Sequence, residues 1–262
     1  MKPHFLFSSS PMDQKMIDPE FQDQAIALKQ AGFGTSVISF ENGKIYGPRP
    51  DKDSTCVYRG WMLNVDEYQQ YEMMLTTGDL TPLTRLGEYM TAHQLPGWYP
   101  GIKGITPETE IVTGEMLPER AEAILALYKW EKFQVKDFVK SLKTAGGSIG
   151  TDPKQVKTIV EEMEKYRGAI EGGLCLRKWE DYYPGSEKRY FVINRKFFGQ
   201  DVSFDTRAMS ILARLAREID SPFFSVDIAE RVDGHFRVVE IGDGQVSDLI
   251  GWTDQRFAEI WK

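Results

Sequence analysis

The most informative residues lie near the C-terminus. Phe223 to Glu230 and Phe236 to Ile241 are strand-like runs on either side of Asp233-Gly234, and Asp-Gly in that setting signals a two-residue hairpin turn. With such a turn Val232 faces His235. Counting back along both strands puts Asp227 directly opposite Glu240, with Val226, Ile228, Val239 and Ile241 on the other face. Opposed like charges repel unless something offsets them. A divalent cation would do so, and Mg²⁺ is commonly held by one or two carboxylates plus substrate phosphates. Gly242-Asp243-Gly244 then adds a third carboxylate, Asp243, on a backbone built for close approach. A solvated outer face that tolerates the repulsion is the plainer alternative, and the residues alone leave both open.

Phosphate-binding charge is available in the run Val135-Lys136-Asp137-Phe138-Val139-Lys140. A period of two places Lys136, Phe138 and Lys140 on one face. The Gly146-Gly147-Ser148-Ile149-Gly150 stretch that follows suits close backbone approach to phosphates. An edge strand guarded by lysines is the competing reading, and neither a P-loop nor a dinucleotide fingerprint is present. Arg177 and Lys178 sit in the apolar-rich run Leu174 to Trp179, and Arg189 opens the next strand. Arg59 stands at the C-terminal end of the Cys56-Val57-Tyr58 strand, which is the ligand-facing end of an open α/β sheet. His4, His93 and His235 are too scattered to propose a metal site. Cys56 and Cys175 read as small buried apolar residues rather than nucleophiles.

The elements that must position these groups fall into two parts. Phe5 to Phe7, a helix marked by Phe21, Ala25 and Leu28, and β-branched runs at Thr35 to Phe40 and Thr55 to Tyr58 suggest a parallel α/β unit. Leu95 to Gly101, with two prolines and two glycines, is expected to break regular structure and act as a hinge or domain boundary. Beyond it, helices are expected at Leu117 to Tyr128, after Pro153, and at Ala208 to Ile219, where Met209, Leu212, Leu215, Ala216 and Ile219 share a side. Strands outnumber crossover helices there, which points to an antiparallel α+β arrangement. The expected boundary divides the chain into 1–104 and 105–262.

Composition narrows the function classes. The 262 residues are 41% hydrophobic and 27% charged, a balance that argues against long disorder. A net charge of −7 disfavours non-specific nucleic-acid binding. No apolar run reaches the ~20 residues of a membrane helix, and Met1 to Phe7 lacks the form of a signal peptide. Two cysteines make no disulfide framework. A cytoplasmic location, with neither membrane nor nucleic-acid partner, is the expectation.

Taken together, the lysine strand, glycine loop, linking strand, Ser186-Glu187-Lys188-Arg189 and closing hairpin resemble the ATP-grasp superfamily of carboxylate–amine ligases. The resemblance covers roughly residues 105 to 262. Val57-Tyr58-Arg59-Gly60-Trp61 and His93 to Pro100 look like a bacterial and phage subgroup of poorly assigned substrate. It implies an N-terminal Rossmann-like pre-ATP-grasp domain, followed by an ATP-grasp domain with an antiparallel sheet. It also implies ATP and Mg²⁺ as cofactors: Lys136 and Lys140 would meet phosphates, Arg177 and Lys178 would lie along the nucleotide, and Glu180 or Glu187 would meet ribose. Asp227, Glu240 and Asp243 would hold the metal. Arg189 would stabilise the γ-phosphate or an acylphosphate, and Arg59 would meet the substrate carboxylate. The implied reaction joins a carboxylate to an amine through an acylphosphate, releasing ADP and phosphate. Peptide, protein and small-molecule substrates all fit, and relatives suggest a homodimer. Two alternatives accompany it: a phosphotransferase on the same fold, and a non-catalytic nucleotide-binding or interaction protein. The pattern departs from the family where Gly242 replaces the usual Asn, and where the family's earlier phosphate lysine has no counterpart.

Overall fold

The computed structural model describes residues 2–139, 147–201 and 205–262. The chain forms two compact units, each assembled from separate stretches. One comprises 1–90, 188–226 and 242–262; the other comprises 91–187 and 227–241. The units are thus divided after residue 90 rather than at the expected 104/105, and 188–226 and 242–262 return to the first.

The first unit opens with β1 (His4–Ser8), α1 (Gln22–Gln30), β2 (Gly34–Ser39), β3 (Lys44–Tyr46), β4 (Thr55–Arg59), α2 (Val65–Thr77) and β5 (Thr81–Pro82). The sheet order is β3-β2-β1-β4-β5, parallel throughout except for β3 at the edge. Phe5 and Phe7 pack with Ala25, Leu28 and Phe257 on one face, while Leu6 joins Cys56, Tyr58, Tyr68 and Tyr71 on the other. A strand covered on both sides needs an unbroken apolar run, and Phe5-Leu6-Phe7 is one. α3 (Leu86–His93) follows.

α4 (Leu95–Ile102) occupies the stretch expected to break structure. Pro96 falls at the start of this helix, where its missing N–H costs nothing. Leu95, Trp98, Tyr99 and Ile102 recur at helical spacing and are buried. The second unit continues with β6 (Thr109–Val112), α5 (Leu117–Tyr128), β7 (Phe133–Asp137), β8 (Ile149–Gly150), α6 (Gln155–Arg167) and β9 (Leu174–Lys178). Its sheet, β6-β9-β7-β8, is antiparallel. Phe133, Val135, Leu174 and Leu176 point to a core shared with α5 and α6. Part of the expected glycine loop is thus β8: Gly150 pairs with Phe133, and a Cβ there would lie 2.5 Å from the Phe133 ring. Lys140 and Gly146 lie outside the described residues.

β10 (Lys188–Ile193), β11 (Lys196–Phe198), α7 (Thr206–Glu218), β12 (Phe223–Glu230), β13 (Phe236–Asp243) and α8 (Asp254–Glu259) complete the chain, with a sheet ordered β11-β10-β12-β13. Met209, expected on the apolar side of α7, is exposed, and Ala208 and Ile211 take that side instead. The β12–β13 turn has three residues, not two. Arg231 N–H donates to His235 and Gly234 N–H donates to Arg231, with Gly234 at φ 86°. Asp233 keeps a negative φ, so it cannot sit in the expected two-residue turn, which needs positive φ at both positions. At the other end Gly244 N–H donates to Phe223, the register that the two-residue turn required. Between these anchors β13 has one residue more than β12, the signature of a β-bulge. Asp227 therefore stands opposite Val239 or Glu240, according to where the extra residue falls.

In the first unit, the segment after β13 is fixed by one buried guanidinium. Arg59 donates from Nε and Nη2 to Gln24 Oε1, from Nη1 to the carbonyls of Gly244 and Gln245, and from Nη2 to that of Ser247. All five N–H groups are engaged and the residue is 1% exposed. The expected role of Arg59 at a substrate carboxylate is thereby corrected: no donor remains for one. Asp243, fully buried, accepts from the backbone and side-chain N–H groups of Gln245, whose amide also reaches Tyr68. Burial pushes its carboxyl up to about 7, against the opposing pull of Gln245 and Arg59.

Two outcomes follow from this packing. Gly173→Ala would place a Cβ 2.4 Å from the Val112 carbonyl oxygen, so urea unfolding should show a loss of about 1–3 kcal/mol. Asp243 releases its proton at lower pH in the unfolded chain than in the fold, so its contribution to stability declines between about pH 4 and 7 and is flat above. Asp243→Asn should therefore raise the melting temperature more at pH 8 than at pH 5; an equal or smaller gain at pH 8 would contradict the assignment.

Candidate functional site

Lys136 is the second unit's central cation. It lies on β7 opposite Cys175 of β9 and is 5% exposed. An ammonium so removed from water needs a partner, and Nζ donates to Glu240 Oε1 at 2.6 Å. The pair is lopsided, with side-chain exposures of 6% for Lys136 and 41% for Glu240. The carboxylate thus presents an open side while anchoring the lysine. Asp227, on the neighbouring strand β12, is 5% exposed.

β13 reaches this position through a polar junction. Val238 N–H donates to the Ile105 carbonyl, and Thr106 Oγ1 donates back to Val238. Arg177, 4% exposed, donates from Nη1 to the Val239 carbonyl at 2.7 Å and from Nη2 to Thr106 Oγ1 at 2.9 Å. Burial lowers its pKa, while Glu240 pulls in the opposite direction. Arg237 grips Glu180 with Nε (3.0 Å) and Nη2 (2.8 Å) and also donates to the carbonyls of Gly104 and Thr106. Arg231 and the Tyr182 hydroxyl add to the same carboxylate. Every strand residue from Arg237 to Glu240 is thereby tied by backbone or side chain.

Arg237, Arg231, Thr106 and Tyr182 were not among the expected site residues. In an unbulged β13, Arg237 would share the apolar face of Val239 and Ile241, which concealed it. The signal available was the arginine itself, on a strand three residues before Glu240. Glu180, expected as an acid for ribose, is committed to two arginines and a tyrosine. Together with Lys178, Trp179 and Asp181 it walls a cavity of about 660 Å³ that also touches Tyr99 and Arg237. Lys178 is exposed beside Glu108, at 3.9 Å. Glu187 is exposed, between Ser186 and β10.

Arg189, on β10, donates from Nη1 to the Asp248 carbonyl in the first unit. Asp243 is held in that unit's interior. Among the described residues no three His, Cys, Asp or Glu side chains gather as a metal site; Asp227 and Glu240 belong to the second unit and Asp243 to the first. Of the expected residues, the second unit holds Lys136, Arg177, Lys178, Glu180, Glu187, Asp227 and Glu240, and it pairs Lys136 directly with Glu240. Cys56 and Cys175 are buried, and burial pushes both thiols up to about 12, which removes them as nucleophiles at neutral pH. No helix among the described residues is long and apolar enough to cross a membrane.

Comparison with known proteins supplies the family. No curated protein matched the chain. Among solved structures, D-cycloserine synthetase DcsG aligns with a TM-score of 0.67 at 14% identity, covering 98% of this chain and 99% of that one. A RimK domain ATP-grasp protein from Sphaerobacter thermophilus gives 0.65 at 14%, covering 98% of each. The ATP-grasp ligase PsnB, complexed with a phosphomimetic variant of its minimal precursor, Mg and ADP, gives 0.58 at 12%, covering 100% and 97%. Identities this low establish likeness of fold alone. The model for the ATP-grasp domain, R2K clade family 3, matches residues 115–260, more than half of the chain, and the chain therefore belongs to that family of ATP-grasp domains.

Proposed function

We propose that this protein is an ATP- and Mg²⁺-dependent, ADP-forming ligase that joins a carboxylate to an amine. The observation that carries the reading is the Lys136–Glu240 pair, a nearly buried ammonium against a half-open carboxylate. Hard carboxylate oxygens suit Mg²⁺, which keeps one or two such ligands together with phosphate oxygens; Glu240 and Asp227 would hold it. Asp243 is left out of this set, being enclosed with Gln245. The parallel sheet of the first unit corresponds, on this reading, to the Rossmann-like pre-ATP-grasp domain.

Bound MgATP would supply the phosphoryl group that activates the carboxylate as an acylphosphate before an amine displaces phosphate. Such transfer depends on positioning and charge neutralisation more than on a protein nucleophile. Lys136 supplies a fixed positive charge whose desolvation is already offset by Glu240. Arg177 lends a second positive charge beside it, held by the Val239 carbonyl and Thr106. Lys178 and Trp179 wall the cavity assigned to the nucleoside, and Glu180 or Glu187 would meet ribose. Arg189 is assigned to the transferring phosphoryl group. The carboxylate and amine belong to a peptide, a protein or a small molecule. PsnB, whose structure includes a precursor, makes a peptide substrate worth testing first.

Calorimetry with a non-hydrolysable ATP analogue is the direct test. Wild type should bind it in a Mg²⁺-dependent manner. Glu240→Ala should lose at least about tenfold in affinity with Mg²⁺ present, equivalent to about 1.4 kcal/mol. Full Mg²⁺-dependent binding by that variant would overturn the assignment. Lys136→Ala should weaken binding with or without Mg²⁺. ADP release that requires both a carboxylate and an amine supports ligation, whereas release without any amine would indicate the phosphotransferase alternative.

A further inference from the structure

The link that leads into β6 reads Gly104-Ile105-Thr106-Pro107 and runs beside β13. Its backbone is short of donors: Ile105 N–H is spent on the Ile102 carbonyl, and Pro107 has no N–H. Val238 of β13 is nonetheless satisfied on both its polar groups. Its N–H donates to the Ile105 carbonyl at 2.8 Å, and its carbonyl accepts from Thr106 Oγ1 at 2.9 Å. A side-chain hydroxyl thus does what a backbone N–H does in an ordinary strand pair.

A hydroxyl has one proton to give. With that proton on the Val238 carbonyl, Thr106 Oγ1 meets Arg177 through a lone pair, and Nη2 donates to it at 2.9 Å. Arg177 in turn donates from Nη1 to the Val239 carbonyl at 2.7 Å. Its Nε–H has no acceptor among the described residues, so its hydrogen bonding rests on these two contacts. The three groups close a ring: hydroxyl to Val238, one peptide along to Val239, and back through the guanidinium to the hydroxyl. Thr106 is 1% exposed and Arg177 4%, so water does not compete for either. The next residue on the strand is Glu240, whose carboxylate is held by Lys136 at 2.6 Å.

Loss of the hydroxyl would open that ring while leaving every charge in place. The Val238 carbonyl and an Nη2 proton of Arg177 would each lose a buried partner, and the strand would relax to recover them. An ammonium meets phosphate as a point charge and tolerates a small displacement. Mg²⁺ does not, because it demands near-octahedral geometry at about 2.0–2.1 Å. We propose that Thr106 is a positioning residue for metal binding. Its hydroxyl fixes the backbone of residues 238 and 239, and through them the point at which Glu240 offers its carboxylate. The proposal rests on the ligase reading for its metal, and it concerns the second unit alone.

The test measures the affinity of the full chain for a non-hydrolysable ATP analogue by calorimetry, without metal and across a series of Mg²⁺ concentrations. Thr106→Val keeps the size of the side chain and removes the hydroxyl; Thr106→Ser keeps the hydroxyl and removes the methyl group. Thr106→Val should raise the Mg²⁺ midpoint at least about fivefold, with metal-free affinity kept within about twofold. Thr106→Ser should keep the wild-type midpoint, which a packing role would not allow, since that variant leaves the larger void. An unchanged midpoint in Thr106→Val, an equal shift in Thr106→Ser, or the same loss with and without metal would overturn the proposal. If circular dichroism shows Thr106→Val unfolded, Thr106→Ala is measured with the same expectation. Failure of both to fold beside a folded Thr106→Ser would assign the hydroxyl to stability and overturn the proposal too. Wild type separates the two readings. Binding without Mg²⁺ dependence, or none, removes the ligase reading and this proposal with it, whereas dependence in wild type and an unmoved Thr106→Val midpoint removes this proposal alone.

Discussion

A lysine ammonium that is nearly out of water governs the arrangement of the second unit. Removing such a charge from solvent costs several kcal/mol unless an opposite charge meets it at close range. Glu240 does so at 2.6 Å, and the requirement passes to β13, which must bring that carboxylate to the right depth. The carbonyls of residues 104 to 106, the Thr106 hydroxyl, the fork of Arg177 and the grip of Arg237 on Glu180 fix the strand immediately before Glu240. Most of these groups are buried or half-buried, so losing one partner would leave another unsatisfied. The junction is cooperative for that reason.

The first unit solves a similar problem with one residue. Arg59 draws its five donors onto Gln24 and the three backbone carbonyls of Gly244, Gln245 and Ser247. A planar, permanently charged guanidinium suits this task better than lysine, whose single ammonium cannot span the same set of acceptors. The two units thus hold opposite ends of one strand: residues 236 to 241 by the junction around Arg177 and Arg237, and the segment after Asp243 by Arg59. On the proposed function, this is how the hairpin that carries Asp227 and Glu240 is kept in register.

Much of this arrangement was legible in residue order. Periodicity gave α5 and β12 at their observed limits and β9 almost so, because apolar repeats of 3.6 and 2 residues reflect which face is buried. The resemblance read from Lys136, the linking strand and the closing hairpin names the superfamily that the family match shows. Errors arose where local chemistry has more than one solution. Leu95 to Ile102 has the composition of a breaker, yet its apolar spacing and a proline at the first turn make a helix. Asp233-Gly234 serves a two-residue turn or a three-residue one, and the choice depends on how the strands pair rather than on the dipeptide.

What the sequence determined by itself is therefore several of the longer elements, the parallel character of the first unit's sheet and the antiparallel character of the second's, and the residue types able to meet phosphate and metal. Only the tertiary structure decided which of them meet. It paired Lys136 with Glu240 across 104 positions of chain, added one residue to β13, and enclosed Arg59 and Asp243. The physical reason is that strand register and side-chain satisfaction are set by hydrogen-bond partners distant in sequence, and a local pattern carries no information about which partner arrives.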